Sequence, residues 1–582
     1  MNGALLLLIG IVCFTAAYFL YSKFIARAVG IDPDRPTPAH TMGDGIDYVP
    51  AHPMVLYGHH FAAIAGAGPI IGPVLAAQFG WASVALWIIL GCIFIGSMHD
   101  MITLFLSVRH EGKSIGSVIE EVLGRPGKMI FLMFCFAALV LVMSVFTGQV
   151  ADAFVSNPEV ATSSLLGIFE AALFGVCVYR FKWSVFSASF LFVPVLFLLV
   201  WIGVVFPCDL TAIFGVSVAT AKTIWVAVLF VYCFVASTLP VWLLLQPRDY
   251  LNSYLLYAML AIGLVAVLFV CPTLNIEAFA GFTVKAAKGG GVMQLFPLLF
   301  VTVACGACSG FHALVASGTT SKQLDSERHI RPVGYGCMLL EGVVALLALI
   351  AVAWHSQADL VAGLSEGKPV VLFAQGLASF CGKLGLPEKT SESFMLLAVA
   401  AFLMTSVDAC TRLARFVWQE LWSTASSADA AAGDSRPPAQ SAIVRLNRNM
   451  YFATLVVVLI GVYLLVLNPS MASNLWTMFA SANQMLAALT LLTASLWLFK
   501  NKLKFWMAFL PMCFMIITSG TAVFQLFLQN LDKWMKNGFA AGGVTAIGSL
   551  MLFCLAVVLM VLGVMKLRKI IKNRVLQSIA KR

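Results

Sequence analysis

The stretch GHHFAAIAGAGPIIGP, residues 58–73, constrains this chain more than any other part of it. It lies in an apolar run long enough to cross a bilayer, yet it contains two adjacent histidines, four glycines and two prolines. Proline removes a backbone donor, and glycine weakens a helix. Because hydrocarbon offers no partner for freed backbone groups, such a break is tolerated only where it is buried in protein or lines an aqueous cavity. The pattern predicts a broken membrane helix, a device with which transporters bind substrate.

Long apolar runs recur along the whole chain. Of its 582 residues, 61% are hydrophobic and 11% are charged, whereas a soluble domain carries about 25% charged residues. We therefore predict an all-α polytopic membrane protein with about 15, and up to about 18, transmembrane helices, some of them broken. The apolar segment 369–381 is too short to span and is expected to be re-entrant or interfacial. The predicted spans are residues 3–22, 54–79, 82–107, 127–150, 164–179, 184–206, 220–245, 250–271, 292–318, 333–355, 393–412, 450–467, 473–498, 503–529 and 541–565.

The basic residues alternate between successive loops. Lys and Arg are concentrated in the loops that follow odd-numbered spans, whereas the loops after even-numbered spans contain few Lys and no Arg. Because basic loops stay in the cytoplasm, this pattern places the N-terminus outside and the C-terminus in the cytoplasm. The same asymmetry explains the net charge of +10, and nothing in it indicates a nucleic-acid partner.

The chain divides into four parts. Residues 1–422 are predicted to form a transmembrane transporter domain with the main motifs, and residues 450–565 to form C-terminal transmembrane helices. Residues 423–449 are predicted to be a flexible cytoplasmic linker, because their first twenty or so residues are small, polar and contain prolines. Residues 566–582 are predicted to be a basic cytoplasmic tail.

A second apolar run, ACGACSGFHALVASGTTSKQL at 304–324, is interrupted in the same manner. It should cross the membrane in the opposite sense to residues 58–73. A pair of oppositely directed, interrupted spans is typical of an inverted-repeat transporter. We therefore predict a substrate site between the two breaks, with close helix packing through small residues as the alternative.

Ten residues are candidates for substrate binding. Backbone amides of Gly66, Gly68 and Gly310 at helix N-termini would hold a carboxylate. Two adjacent histidines point about 100° apart on a helix, so only one of them can face a given site. The two amide side chains of the thirteenth span would either donate to the substrate or bridge helices. The candidates are His59, His60, Gly66, Gly68, Pro69, Ser309, Gly310, His312, Asn483 and Gln484.

Three carboxylates inside predicted spans are candidates for proton or ion coupling, because ionisable residues at membrane depth are usually functional. Asp100 lies in the third span, Glu341 in the tenth and Asp408 in the eleventh. Arg412 follows Asp408 by one helical turn, so a structural ion pair is the alternative for Asp408. Glu341 has no cation nearby in sequence, which favours it as the proton carrier, with a static, hydrogen-bonded carboxyl group as the alternative.

The motif LQPRDYLN, 245–252, joins the seventh and eighth predicted spans. Arg248 and Asp249 would form a gate pair at the cytoplasmic face, or attract an anionic substrate there. An equally good alternative is that they only set the topology at the interface.

Cys305, Cys308 and His312 are spaced by three and four residues, which places them roughly on one helical face. Such a face would suit a soft metal such as zinc. A fourth ligand is not evident, and buried cysteines also serve as ordinary small apolar residues.

These motifs resemble those of the carbon starvation protein A family of bacterial inner-membrane transporters. The residues that carry the resemblance are 58–73, LQPRDYLN at 245–252, CGACSGFHALVASGTTSKQL at 305–324 and GYGCMLLEG at 334–342. The resemblance implies uptake of pyruvate or of small peptides, driven by an ion gradient. It also implies a core of the amino acid–polyamine–organocation type, which is an inverted repeat of five helices. The two broken spans here are seven apart, so that core would contain two inserted helices.

The expected function is therefore secondary active uptake of a small carboxylate or small peptide across the bacterial inner membrane, with a proton as the coupling ion. The N-terminus would then be periplasmic. The sequence contains no GxxxxGK[ST] phosphate loop and indicates no cofactor. A channel or a membrane sensor component of a starvation response is one alternative, and a metal-dependent membrane enzyme is another.

Overall fold

Helices make up almost all of the molecule. The protein is represented by a computed structural model, which describes residues 1–43, 48–240, 243–287, 291–422, 442–466 and 475–580. The only sheet within these ranges is an antiparallel hairpin of β1 (Thr283–Lys285) and β2 (Val292–Gln294). Most of the predicted linker, 423–441, lies outside the described residues, whereas Ala442–Arg448 form a short helix.

The helices are numbered here in chain order. They are α1 (Gly3–Phe19), α2 (Tyr21–Val29), α3 (Pro38–Thr41), α4 (Pro53–Ile64), α5 (Gly68–Ala76), α6 (Trp81–Gly91), α7 (Ser97–Arg109), α8 (Ile115–Leu123), α9 (Arg125–Ser156), α10 (Pro158–Gly175), α11 (Val185–Val205), α12 (Leu210–Phe214), α13 (Val218–Thr238), α14 (Leu245–Val270), α15 (Leu295–Thr302), α16 (Phe311–Val315), α17 (Ser321–Gln323), α18 (Cys337–Ala353), α19 (Gln357–Ser365), α20 (Pro369–Lys383), α21 (Glu388–Leu421), α22 (Ala442–Arg448), α23 (Met450–Leu465), α24 (Leu475–Lys500), α25 (Trp506–Asn537) and α26 (Phe539–Ala580).

Within the described ranges, twelve helices are long and apolar enough to cross a membrane, and two bent helix pairs raise the number to as many as fourteen. These fourteen coincide with fourteen of the fifteen predicted spans. The remaining predicted span, 292–318, is divided into short helices and therefore has no single helix of sufficient length. The chain is a multi-span helical membrane protein, as its composition predicts.

The burial of the helices separates a core from a lipid-facing rim. Almost every side chain of α18 is buried, and most of α24 is as well. By contrast, α11 exposes large apolar side chains such as Phe186, Phe190 and Trp201. Exposed apolar side chains of this kind belong against lipid. The short helix α20 is also largely buried, consistent with a segment that enters the protein without spanning it.

The second predicted span is broken where its glycines and prolines predict a break. Helix α4 ends at Ile64 and α5 begins at Gly68, and the two halves are bent by 41°. Pro69 lies in the first turn of α5, where a missing backbone donor costs little because the first turn has no intrahelical acceptor.

The ninth predicted span is broken more severely. Helix α15 ends at Thr302, a single 3₁₀ turn follows at Ala304–Gly306, and helical structure resumes only at Phe311. It then passes through a π-helical turn at Ala316–Thr320 into α17. The positions that divide the helix include the glycines that the sequence marks as weak points.

The two broken spans cross each other in direct contact. A methyl group added at Gly72 would overlap the backbone carbonyl of Val303, and one added at Gly68 would meet the Cys305 side chain. Glycine at these positions therefore lets the two backbones approach closely, as small residues do at membrane-helix interfaces. The close contact places the two breaks on opposite sides of one small space.

Candidate functional site

A narrow cavity lies between the two helix breaks. Ile64, Gly66 and Gly68 of the first break line it on one side, and Cys305 and Phe311 of the second break line it on the other. The remaining lining residues come from three helices that pack around the breaks: Val142 and Phe146 of α9, Ser406 of α21, and Phe479 of α24. None of these nine residues is charged, so only backbone groups, a hydroxyl and a thiol offer polar contacts.

Asn483 of α24 holds the second break together. Its backbone carbonyl accepts a hydrogen bond from the Gly310 amide at 3.1 Å, and its side-chain oxygen accepts one from the Phe311 amide at 2.9 Å. Its amide nitrogen donates to the Ser309 hydroxyl at 3.1 Å and lies 3.3 Å from the Cys305 sulfur. The Asn483 side chain and the Gly310 amide are thus occupied within the protein. In this structure Asn483 therefore bridges two helices, which is one of the two roles that the sequence leaves open for it.

Gln484, the next residue on α24, holds the other edge of the same break. Its side-chain amide donates to the carbonyl of Phe300 at 2.6 Å, near the end of α15. The indole of Trp87 donates to the same carbonyl at 3.2 Å. The Gln484 side chain therefore bridges α24 and the end of α15, which is one of the two roles that the sequence leaves open for it.

A buried chain of titratable side chains lies beside the second break. His312, the second residue of α16, has Nδ1 2.7 Å from Asp100 Oδ2 and Nε2 3.3 Å from Glu341 Oε2. His99 extends the chain, with Nδ1 2.7 Å from Asp100 Oδ1. These four side chains are completely buried. Three helices, α7, α16 and α18, contribute to the cluster, so it joins two continuous spans to the broken one.

The geometry of His312 requires an exchangeable proton. Both of its ring nitrogens face a carboxylate oxygen, yet a neutral imidazole carries only one N–H group. A second proton on the ring or on one of the two carboxyl groups, Asp100 or Glu341, would satisfy both contacts, since two facing lone pairs would repel. Neither oxygen of Glu341 has a hydrogen bond of good geometry within the described residues. The cluster of Asp100, His312 and Glu341 can thus hold or release a proton with little rearrangement.

The two adjacent histidines of the first break have different environments. His60 is fully buried and its Nδ1 lies 2.8 Å from the Thr320 hydroxyl, in the π-helical turn of the second broken span. His59 is only half-buried. His60 therefore links the two broken spans directly, and neither histidine lines the cavity between the breaks.

The predicted metal ligands do not form a site. Within the described ranges, no group of three or more His, Cys, Asp or Glu side chains is arranged to hold a metal ion. The Cys305 thiol contacts Ser309 and Asn483, whereas the His312 ring is held between two carboxylates. The spacing of Cys305, Cys308 and His312 assumes one continuous helix, and the break at 307–310 removes that basis.

Arg248 and Asp249 lie inside a helix rather than in a surface loop. Arg248 belongs to the first turn of α14, is only 3% exposed, and donates to Asp408 and to the Tyr232 hydroxyl. Its second terminal nitrogen lies 3.1 Å from Asp249, and Tyr232 donates to Asp408 at 2.7 Å. This network joins α13, α14 and α21.

The partner of Asp408 differs from the one that the sequence suggests. Arg412 donates instead to the carbonyls of Ala236 and Leu239 at the end of α13, at 3.0 and 2.9 Å. The ion pair of Asp408 is with Arg248, 160 residues away in sequence. Helix spacing alone cannot reveal a pair between two helices, so the expected pair one turn apart is wrong.

The segment between the first two predicted spans is hydrogen-bonded to the residues that follow the broken ninth span. Buried Glu327 accepts hydrogen bonds from Arg109 and from the Asp32 amide, both at 2.9 Å. The Ala51 amide donates to the carbonyl of Gln323 at 3.0 Å. This end of the molecule is the one at which the sequence concentrates its basic residues.

Comparison with known proteins identifies the family. The family model described as carbon starvation protein CstA matches residues 2–363 and 360–522 of the chain.

This chain belongs to the carbon starvation protein CstA family.

Its relatives in the CstA family include named transporters. The chain is 34% identical to "Peptide transporter CstA" of Escherichia coli (strain K12), over 93% of this chain and 83% of that protein. It is 39% identical to "Pyruvate/proton symporter BtsT" of the same organism, over 58% of this chain and 47% of that protein. Among solved structures, MhsT in complex with L-phenylalanine matches 86% of this chain and 98% of that chain, with 12% identity and a TM-score of 0.45. A TM-score below 0.5 does not establish a common fold.

Proposed function

We propose that this chain is a secondary active importer of a small carboxylate such as pyruvate, or of small peptides, and that it couples uptake to protons across the bacterial inner membrane. One observation carries the proposal: the cavity between the two helix breaks adjoins the proton-holding cluster of Asp100, His312 and Glu341. Phe311 lines the cavity, and the next residue, His312, contacts both carboxylates. The names of its CstA relatives support both substrate classes.

In this mechanism the substrate binds between the breaks of the second and ninth spans. Broken spans with exposed backbone at membrane depth are the usual substrate sites of inverted-repeat transporters. We propose such a core of the amino acid–polyamine–organocation type here, with the N-terminus in the periplasm and the basic loops in the cytoplasm. The hydrogen-bonded segment at Glu327 and Ala51 then closes the cytoplasmic side.

Coupling follows from the position of His312. Helix α16 begins directly at the break and His312 is its second residue, so a substrate that reshapes the break also shifts the imidazole between Asp100 and Glu341. A proton enters this cluster from the periplasmic side and moves between ring nitrogen and carboxylate oxygen. It leaves to the cytoplasm when the inner side opens. No covalent bond forms, and the proton gradient supplies the free energy.

The deciding experiment is uptake of radiolabelled pyruvate and of a labelled dipeptide by proteoliposomes, with and without an inward pH gradient. We expect accumulation of at least one of them that collapses when a protonophore is added. Uptake that responds to neither a proton nor a sodium gradient would contradict symport.

Glu341→Gln tests the proton carrier. The amide keeps the shape of the side chain but cannot bind and release a proton, so we expect loss of gradient-driven accumulation. Exchange of internal for external substrate at equal pH should remain, because it needs no net proton movement. Accumulation equal to that of the unsubstituted protein would remove Glu341 from the mechanism.

A further inference from the structure

Ser406 differs from the other hydroxyl side chains around it. Thr405 and Thr411 of the same helix donate to carbonyls four residues earlier, at 3.1 and 2.7 Å. Hydroxyl side chains inside helices usually make such a bond. Ser406 makes no hydrogen bond within the described residues, although it is only 5% exposed, and it lines the cavity between the breaks. Its hydroxyl group is therefore available to a molecule bound in the cavity.

The backbone opposite Ser406 is also unsatisfied. The Gly66 amide is used by the Ile64 carbonyl at 2.7 Å. The amides of Ala67 and Gly68, at the start of the nine-residue helix α5, have no acceptor within the described residues. The first amides of a helix carry a partial positive charge and bind anions. Ser406 lies against Gly66, two residues before the start of α5, since a methyl group added at Gly66 would come 2.6 Å from its hydroxyl oxygen.

The second break has the opposite character. Its Gly310 and Phe311 amides are already bound by Asn483, and the ring of Phe311 lines the cavity together with Phe146 and Phe479. The cavity therefore offers free hydrogen-bond donors at the first break, and three apolar rings form another part of its lining.

We propose that Ser406 binds the carboxylate of the substrate together with the free amide of Gly68, so that the rest of the substrate faces the three phenylalanine rings. This assignment rests on the proposed transport function and adds to it a specificity-determining side chain and a direction for the substrate. Gly66 acts by leaving room for the Ser406 hydroxyl, and its own amide takes no part.

The test compares Ser406→Ala with Ser481→Ala in proteoliposomes. Ser481 is a matched control, because it is a buried serine whose hydroxyl also lacks a partner but does not line the cavity. A hydrogen bond to a charged group contributes more than a neutral one. We therefore expect Ser406→Ala to raise the KM for labelled pyruvate or dipeptide about tenfold, with a Vmax within about twofold. Ser481→Ala should leave both unchanged.

A second measurement separates carboxylate binding from a structural effect. Pyruvate and its uncharged amide, pyruvamide, are each added as competitors of the labelled substrate, in the unsubstituted protein and in Ser406→Ala. We expect Ser406→Ala to weaken competition by pyruvate about tenfold and competition by pyruvamide much less, because only the carboxylate loses a charge-assisted bond. If dipeptide is the transported substrate, glycylglycine and its C-terminal amide replace this pair.

Each outcome has one meaning. If the unsubstituted protein accumulates neither pyruvate nor dipeptide, the proposed function fails before Ser406 is tested. If it does accumulate one of them and Ser406→Ala keeps the KM and the preference for the carboxylate, the assignment of Ser406 is overturned. An equal loss of affinity for the acid and its amide also overturns it, since that pattern marks a change of cavity shape.

Discussion

Replacing Asn483 by leucine removes the side chain that joins α24 to the second helix break. The Phe311 amide would lose its acceptor at 2.9 Å and the Ser309 hydroxyl its donor at 3.1 Å. The backbone bond from the Gly310 amide to residue 483 would remain, because it does not use the side chain. An amide group left unpaired in the interior costs about 1–3 kcal/mol. We take about 2 kcal/mol, which is roughly a thirtyfold change in an equilibrium constant.

This magnitude predicts two effects of Asn483→Leu. The population of protein with the native break falls by roughly thirtyfold relative to alternatives, so the ratio of Vmax to KM for uptake should fall by about 10- to 100-fold. The melting temperature in detergent should also fall without any substrate present. A residue that only contacted substrate would change KM and leave the melting temperature of the empty protein unaltered.

Gln484→Leu is the matched control for this prediction. The Phe300 carbonyl would keep its bond from Trp87 at 3.2 Å, and the Gln484 side-chain oxygen has no partner within the described residues to lose. We therefore expect uptake within about threefold of the unsubstituted protein and little change in melting temperature. If Asn483→Leu behaves like Gln484→Leu in both assays, the break does not depend on Asn483 and the reasoning is refuted.

Two further predictions concern packing and charge. Gly72→Ala should destabilise the protein by about 1–3 kcal/mol, because its methyl group would overlap the backbone of the other broken span. Gly167→Ala, where a methyl group meets nothing, should be neutral or slightly stabilising in the same thermal-melting assay. Asp408→Asn should destabilise by up to about 3–5 kcal/mol, because it removes one of the two carboxylates that face the buried Arg248. The loss of unfolding free energy in Asp408→Asn should add to the loss in Arg412→Gln. It should not add to the loss in Arg248→Met, and additivity there would contradict the ion pair between Arg248 and Asp408.

Features that depend on neighbouring residues could be predicted from the sequence. The breaks at Ile64–Gly68 and after Thr302 follow from glycine and proline in apolar runs, and such residues act locally on the backbone that carries them. Span number and position follow from runs of apolar residues for the same reason. The candidate carboxylates Asp100 and Glu341 could be named because any charge at membrane depth is exceptional.

Features that depend on distant residues could not be predicted. Nothing along the sequence connects Arg248 to Asp408 or Asn483 to Phe311, because each pair is formed by helices far apart in the chain. Ser406 is a serine within the membrane-spanning part of α21, and such a small residue usually serves packing. Its free hydroxyl becomes visible only beside neighbours whose hydrogen bonds are known. The sequence offered one indication that His99 belongs to the buried cluster, namely its position directly before Asp100 inside a span.

The arrangement explains why a broken helix and a buried histidine occur together. A continuous helix would fix its histidine rigidly, whereas α16 starts at the break, where the amides of Gly310 and Phe311 are bound by Asn483. A small movement of the break therefore moves His312 relative to Asp100 and Glu341, which stand on the separate helices α7 and α18. Since both ring nitrogens face carboxylates, such a movement changes the strength of both contacts and with it the binding of the shared proton. In the proposed mechanism, the break in the ninth span therefore allows the substrate and the proton to act on the same helical segment.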